Sequence, residues 1–191
     1  MAQACRQVRF GWGAVFGRKG KGVSFDWVER LDAERKTVTD YAKTGWHREV
    51  FLRTDQLEAA ARSAWDEGYF LEDVSVVDVQ EGFLVVYHFD SWEHPGRVTF
   101  KVLVPHEDPR VPTISHIHSG AAWHERESFD FFGVVFEGHP DLKPLLLPED
   151  LGFHPLVKKP EDRAPMQGLA AAAGDSKEAK EAKEAEAGKA P

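Results

Sequence analysis

The sequence contains a single cysteine, Cys5. That excludes a disulfide framework within the chain. It also excludes an iron–sulfur cluster or structural zinc ligated only by cysteines of this chain. The composition points to the reducing cytoplasm. No apolar run of about 18 residues is present, so no segment reads as a membrane-spanning helix. Arg6 and Arg9 lie near the N-terminus, but no long apolar block follows them, and a signal peptide is not expected. An excess of positive charge is missing as well. The net charge is −8, which argues against a broad basic face for nucleic acid.

What remains is enough for a core. The chain has 191 residues, of which 42% are apolar, with 13 phenylalanines. This suits one domain of ordinary size plus appendages. Residues 1–21 scatter Gly11, Gly13, Gly17 and Gly20 among Arg18, Lys19 and Lys21. The spacing follows no strand and opens no helix, so it lacks the context of a phosphate-binding loop. A flexible basic arm is expected there. Residues 22–136 carry the periodic segments and are expected to form the core domain.

Within that span, Ser24 is placed to cap a helix from Phe25 to Glu34, with Phe25, Val28 and Leu31 inward. Trp46 to Leu52 reads as a strand. Asp55 and Glu58 form an Asp variant of the capping box. They open a helix to Glu67 with Leu57, Ala60, Ala61, Ala64 and Trp65 inward, stopped by Gly68 in the left-handed conformation. Leu71–Val79, Phe83–Phe89 and Arg97–Val104 read as three successive strands of an antiparallel meander. Helices must cover one face of it, which makes the fold class α+β. Thr113–His118 and Ala121–Phe132 read as further helices.

From residue 137 the prolines return, at Pro140, Pro144, Pro148, Pro155, Pro160 and Pro165. They exclude regular structure over much of that length. Residues 137–168 therefore read as an extended arm whose leucines require a partner surface. Residues 169–191 are mostly Ala, Lys and Glu and read as a disordered tail.

The chemistry concentrates between Trp123 and Leu147. Glu125, Arg126, Glu127 and Asp130 are interleaved with Phe129, Phe131, Phe132, Val134, Val135 and Phe136. A surface that is both buried and charge-specific needs both sets. At helical spacing Arg126 and Asp130 share a side, and an ion pair between them is expected. Glu127 and Asp130 also share a side and are the candidate acid–base carboxylates if the chain is a freestanding enzyme. His116, His118 and His124 lie close in sequence, but on helical segments a spacing of two points rings apart, so a metal site is not expected. No nucleophile with an adjacent base is evident, and there is no dinucleotide or Walker fingerprint.

Glu125-Arg126-Glu127, Asp130-Phe131-Phe132-Gly133, Phe136, Gly138-His139-Pro140-Asp141-Leu142-Lys143 and Leu145-Leu146 closely resemble the signature of the 30 kDa subunit family, the C-type subunit, of NADH:quinone oxidoreductase (respiratory complex I). Trp123 upstream and His154-Pro155 downstream fit the same family, and the likeness runs from about Val50 to Leu156. Where that family continues His-Pro-Leu-Arg-Lys-Asp-Tyr, this chain reads His154-Pro155-Leu156-Val157-Lys158-Lys159-Pro160.

The resemblance implies an α+β domain followed by an extended arm. It implies a subunit of a proton-translocating complex with no catalytic, cofactor-binding or metal residues of its own. Such a subunit packs on the neighbouring D-type subunit near the quinone site and supports assembly and electron transfer to quinone. Flavin, iron–sulfur clusters and quinone would belong to partner subunits. The chain would be a peripheral membrane protein on the cytoplasmic side of the bacterial inner membrane, held there through its partners. Trp123, Glu125, Arg126, Glu127, Asp130, Phe132, Gly133, Phe136, Gly138, His139, Pro140, Asp141, Leu142, Lys143, Leu145, Leu146, His154 and Pro155 would form its interface motif. Membrane-bound energy-converting nickel–iron hydrogenases and complexes lacking the NADH module contain homologous subunits, and these are the alternative.

Overall fold

The segment Gly82-Phe-Leu-Val-Val-Tyr-His-Phe-Asp90 is apolar at odd and even positions alike, the pattern of a strand buried on both faces. It is an inner strand of a five-stranded sheet. A computed structural model gives the fold and describes residues 24–93 and 96–166. The expected basic arm at 1–21 and the tail at 169–191 lie outside the described residues.

In chain order the principal elements are α1 (Asp26–Arg30), β1 (Arg35–Val38), α2 (Tyr41–Thr44), β2 (Arg48–Leu52), α3 (Leu57–Asp66), β3 (Phe70–Val79), β4 (Gly82–Asp90), β5 (Val98–Val104), β6 (Arg110–Pro112), α4 (Ala121–Phe132) and β7 (Val135–Glu137). The large sheet has the order β1-β2-β5-β4-β3. The meander β3–β4–β5 is antiparallel throughout, as its alternation predicts. β2 then joins β5 in parallel, pairing Val50 with Phe100, and β1 closes the edge antiparallel to β2. β6 and β7 form a separate parallel pair. The class is α+β.

One face of the sheet carries Val50, Leu52, Val74, Val76, Phe83, Val85, Tyr87, Phe89, Phe100 and Val102. It packs against Trp27 and Val28 of α1, Leu57, Ala60, Ala61 and Ala64 of α3, and Ala121 of α4. The opposite face holds Phe51, Leu84 and Val86, with Met166 against them. On that face Lys101 and Glu49 form an ion pair at 2.6 Å, their side chains 6% and 3% exposed. The Lys101 ammonium also lies over the rings of Trp46 and Phe51. A charge pair buried this deeply persists only with such compensation.

Several local expectations are corrected. The first helix is confined to Asp26–Arg30 and ends where Leu31 turns extended. β1 and α2 occupy a region with no foreseen element, α2 being opened by Asp40, whose carboxylate accepts the Ala42 amide. At the start of α3, Asp55 is taken by the Arg53 guanidinium and caps nothing. The reciprocal bonds run instead between the Arg53 amide and the Gln56 side chain, and between the Gln56 amide and the Arg53 carbonyl. Gly68 does end this segment with φ +77°. Trp65 is not inward but 53% exposed, its ring edge-on to His118. Thr113–His118 is a run of turns rather than a helix. α4 spans Ala121–Phe132 as its periodicity predicts.

Candidate functional site

α4 carries the acidic motif, and its two sides differ. On its buried side Glu125 is fully enclosed. Its Oε1 accepts the Ile114 amide at 2.9 Å and its Oε2 accepts the Thr113 hydroxyl. The groups that satisfy it are neutral. Burial outweighs these two bonds and raises its pKa to about 7. His139, whose ring is 2% exposed, lies with Nε2 3.9 Å from Glu125 Oε2. The Asp141 amide donates to His139 Nδ1, so Nε2 carries the proton and donates to the Ala122 carbonyl. In that state the ring is neutral, and its approach to Glu125 is a contact, not an ion pair. Tyr87 lies opposite on β4. Burial, and then the Glu125 charge, push its hydroxyl well above the ordinary value.

On the outer side α4 organises the Pro-rich segment. Asp130 Oδ2 accepts three successive amides, those of Leu145, Leu146 and Leu147, at 2.7, 2.7 and 3.1 Å. Arg126 reaches the same turn from one helical turn earlier. Its Nε donates to the Lys143 carbonyl and its Nη2 to the Pro144 carbonyl, at 3.0 and 2.9 Å. The expected Arg126–Asp130 ion pair is therefore absent. Both side chains bind the arm's backbone, the cation taking carbonyls and the anion taking amides. Three convergent amides satisfy a carboxylate at shorter range than a helix-surface guanidinium can while it also serves two carbonyls.

The arm continues in the same manner. His154 Nδ1 meets the Asp130 carbonyl at 2.8 Å, and the Leu156 amide donates to the Phe131 carbonyl. Gly133 ends α4 with φ +76°, and a Cβ there would stand 2.7 Å from the His154 ring. Only glycine meets both conditions. Farther on, the buried Asp78 of β3 accepts the Lys158 amide at 2.7 Å, bonds His106 at 2.8 Å and pairs with Arg163 at 3.0 Å. Ala164 then forms a one-residue parallel bridge to Val79. No sequence signal marks Asp78 or Arg163, because their pairing depends on the arm folding back across the end of the sheet.

The interface motif thus divides three ways. Glu125, Phe136 and the His139 side chain are buried, and Phe132 and Leu142 pack against the main core. Arg126, Asp130, Gly133 and His154 shape the arm. Trp123 and Leu146 remain 67% and 64% exposed, as do Phe153 and Leu156 beside the motif, at 62% and 50%. Glu127, Gly138, Pro140, Asp141, Lys143 and Pro155 are exposed too, with Asp141 and Lys143 paired at 2.8 Å, and Leu145 is half-buried. A cavity of about 460 Å³ lies between α4 and the arm, lined by Phe129, Asp130, Leu142, Leu147, Phe153 and His154 among others.

Glu127 does not line that cavity, and Asp130 spends Oδ2 on three amides, so the two do not share a pocket as an acid–base pair. His116 bonds Glu58, His118 bonds the Ala61 carbonyl, and His124 faces Asp73, three separate destinations. Among the described residues no helix is long and apolar enough to cross a membrane.

Comparison with known proteins gives three kinds of match. The family described as the 30 kDa subunit of respiratory-chain NADH dehydrogenase matches residues 50–164. The C-type subunit of the NADH-quinone oxidoreductase of Roseiflexus sp. (strain RS-1) is 40% identical over 116 residues, which cover 57% of this chain and 67% of that protein. The corresponding subunit of Chloroherpeton thalassium is 45% identical over 91 residues, which cover 47% of this chain but 38% of that protein. This chain thus spans only part of the length of the relatives it matches. A chain of the membrane-bound sulfane sulfur reductase, an archaeal respiratory membrane complex, superposes with a TM-score of 0.61 at 22% identity, covering 76% of this chain and 86% of that one. At that identity the likeness is one of fold.

Proposed function

Because the chain belongs to the 30 kDa subunit family of respiratory-chain NADH dehydrogenase, we propose that it serves as a non-catalytic subunit in the hydrophilic arm of an NADH:quinone oxidoreductase. In this reading it binds no cofactor. It packs on the D-type subunit near the quinone site, and flavin, iron–sulfur clusters and quinone belong to its partners. It lies at the cytoplasmic face of a bacterial inner membrane and is held there by the rest of a hetero-oligomer.

One observation carries the reading. Two charged residues of the motif, Arg126 and Asp130, are spent on the backbone of the chain's own arm. Asp130 and Arg126 fix the arm's course, while Leu146, Phe153, Leu156 and Trp123 are left exposed. A fixed scaffold presenting unpaired apolar side chains is the anatomy of an interface. The freestanding-enzyme reading required Glu127 and Asp130 to share a pocket, which the geometry does not support.

The test is purification of the tagged chain from gently solubilised membranes, with co-purifying proteins identified by mass spectrometry. Recovery with flavin- and NADH-binding subunits supports the reading in full. Recovery with a nickel–iron large subunit, or in a complex without an NADH module, moves the assignment to those relatives. Recovery as a lone monomer sinks it.

A further inference from the structure

Glu125 is the feature that an interface role leaves unexplained. A buried carboxylate ordinarily has a cation or several amides as compensation. Here it has one amide and one hydroxyl, and the ionisable groups around it supply no paired charge. Tyr87 from β4 is a neutral phenol. His139, beyond β7, accepts the Asp141 amide at Nδ1 and turns Nε2, 3.9 Å from Glu125, to the Ala122 carbonyl. His116 from the β6–α4 loop lowers the Glu125 pKa only as the smallest contribution, and it is bonded to Glu58. On α4 itself His124 and Arg126 point away, to Asp73 and to the arm.

The Thr113 hydroxyl is what makes the arrangement specific. Its oxygen accepts the Ser115 amide at 3.1 Å. That leaves one hydrogen to give and one lone pair to fill. Its two remaining neighbours are Glu125 Oε2 and Ser115 Oγ, the latter at 2.8 Å. Two arrangements satisfy every atom. With Glu125 ionised, Ser115 donates to Thr113 and Thr113 donates to Glu125. With Glu125 protonated, Glu125 donates to Thr113 and Thr113 donates to Ser115. Glu125 is fully enclosed, Thr113 is buried and Ser115 is only partly so. The chain of hydroxyls therefore leads from an enclosed carboxyl toward solvent.

We propose that Glu125 is a reversible proton-binding site, loaded and unloaded through the Thr113 and Ser115 hydroxyls. In loading, a proton from solvent bonds to Ser115 Oγ. The Ser115 hydrogen passes to Thr113 Oγ1, and the Thr113 hydrogen passes to Glu125 Oε2. Each oxygen gains one hydrogen and releases another, except the carboxylate, which ends neutral. No oxidant or reductant takes part. The assignment concerns this chain alone and is independent of which complex receives it.

The experiment is infrared spectroscopy of the full chain between about pH 5 and about pH 9, either side of the value near 7 expected from burial. A protonated-carboxyl C=O band should be present at the acid end, titrate near neutrality, and be lost in Glu125→Gln. The amide of that variant keeps an acceptor for Ile114 and a donor for Thr113, so folding is retained. Thr113→Val removes a donor to the carboxylate and should shift the midpoint upward. Ser115→Ala should leave the equilibrium midpoint near that of the wild type but slow the appearance of the band after a pH jump, which a merely structural serine would not do. Absence of a band sensitive to Glu125→Gln overturns the site. A band that loads at the wild-type rate in both Ser115→Ala and Thr113→Val overturns the relay.

Discussion

Replacing Asp130 by alanine should release the arm while leaving the sheet intact. The carboxylate accepts amides of Leu145, Leu146 and Leu147 at 2.7, 2.7 and 3.1 Å, and the residue is 4% exposed. A hydrogen bond to a charged acceptor contributes about 1.5–3 kcal/mol. Three amides on one oxygen compete for the same charge, so the values do not add. A net loss of about 3 kcal/mol is the conservative figure, and it falls on the local opening of residues 143–157 rather than on global unfolding. At about 1.4 kcal/mol per decade this is roughly a hundredfold faster exchange of those three amides.

Hydrogen–deuterium exchange with fragment-level readout measures it, with amides of β4 as the internal control. Asp130→Asn keeps a neutral acceptor and should fall between the two. Wild-type exchange at Leu145–Leu147 in Asp130→Ala would refute the claim that this carboxylate sets the arm's course. Faster exchange in β4 as well would mean the residue supports the whole domain.

Four other outcomes follow from the same geometry. The folded-state pKa of Glu125, about 7, stands above its ordinary value of 4.5. Its stabilising contribution is therefore present below pH 4.5 and is lost as pH rises through 7. Relative to Glu125→Gln, the wild type should lose about 3 kcal/mol over that window, read by denaturant titration at several pH values. Gly133→Ala must place a Cβ at positive φ and against the His154 ring, and should cost about 1–3 kcal/mol, seen as a lower Tm or as proteolytic nicking near residue 154. Glu49→Ala strands the buried Lys101 and should cost about 3–5 kcal/mol, whereas Glu49→Leu with Lys101→Met should recover most of it in a thermal melt. Trp123→Ala removes an exposed ring and should change the stability of the isolated chain by no more than about 0.5 kcal/mol. It should nevertheless lower recovery of partner subunits, and undiminished recovery counts against that surface.

The parts legible in the sequence are those governed by local repetition. The meander shows in the alternation of Val98, Phe100, Val102 and Val104, and α4 shows in the run from Ala121 to Phe132. The parallel contact of β2 with β5 leaves no local trace, because its partners are far apart in sequence. β1 and α2 are too short for periodicity to register. Trp65 obeys the apolar pattern of α3 but lies at the margin of the helix contact, where its ring meets His118 instead of the core. The sequence marks the motif residues but not their roles. Arg126 and Asp130 have the right spacing to pair, and spacing says nothing of a returning backbone that offers both of them better partners. Glu125 reads as one acid among several, since enclosure is a property of the fold and not of the string.

The pairing of β2 with β5 also bears on how the chain reaches its fold. Lys101 and Glu49, bonded across that seam, are 52 positions apart. β3, β4 and β5 are joined in sequence by short connections, and β1 can pair with β2 on its own, but that pair must wait for β5 to exist before it joins the sheet. Closing so long a loop carries an entropic cost that delays the step and makes it slow relative to the hairpins. During synthesis Val50, Phe51 and Leu52 emerge early, and the edge they later offer to β5 stays unpaired until about 50 more residues have followed. Arg48, Glu49 and Arg53 flank that triplet, so the stretch most exposed to premature association is bracketed by charge. The residues that later form a buried ion pair and the rim of a helix cap first serve as its guards.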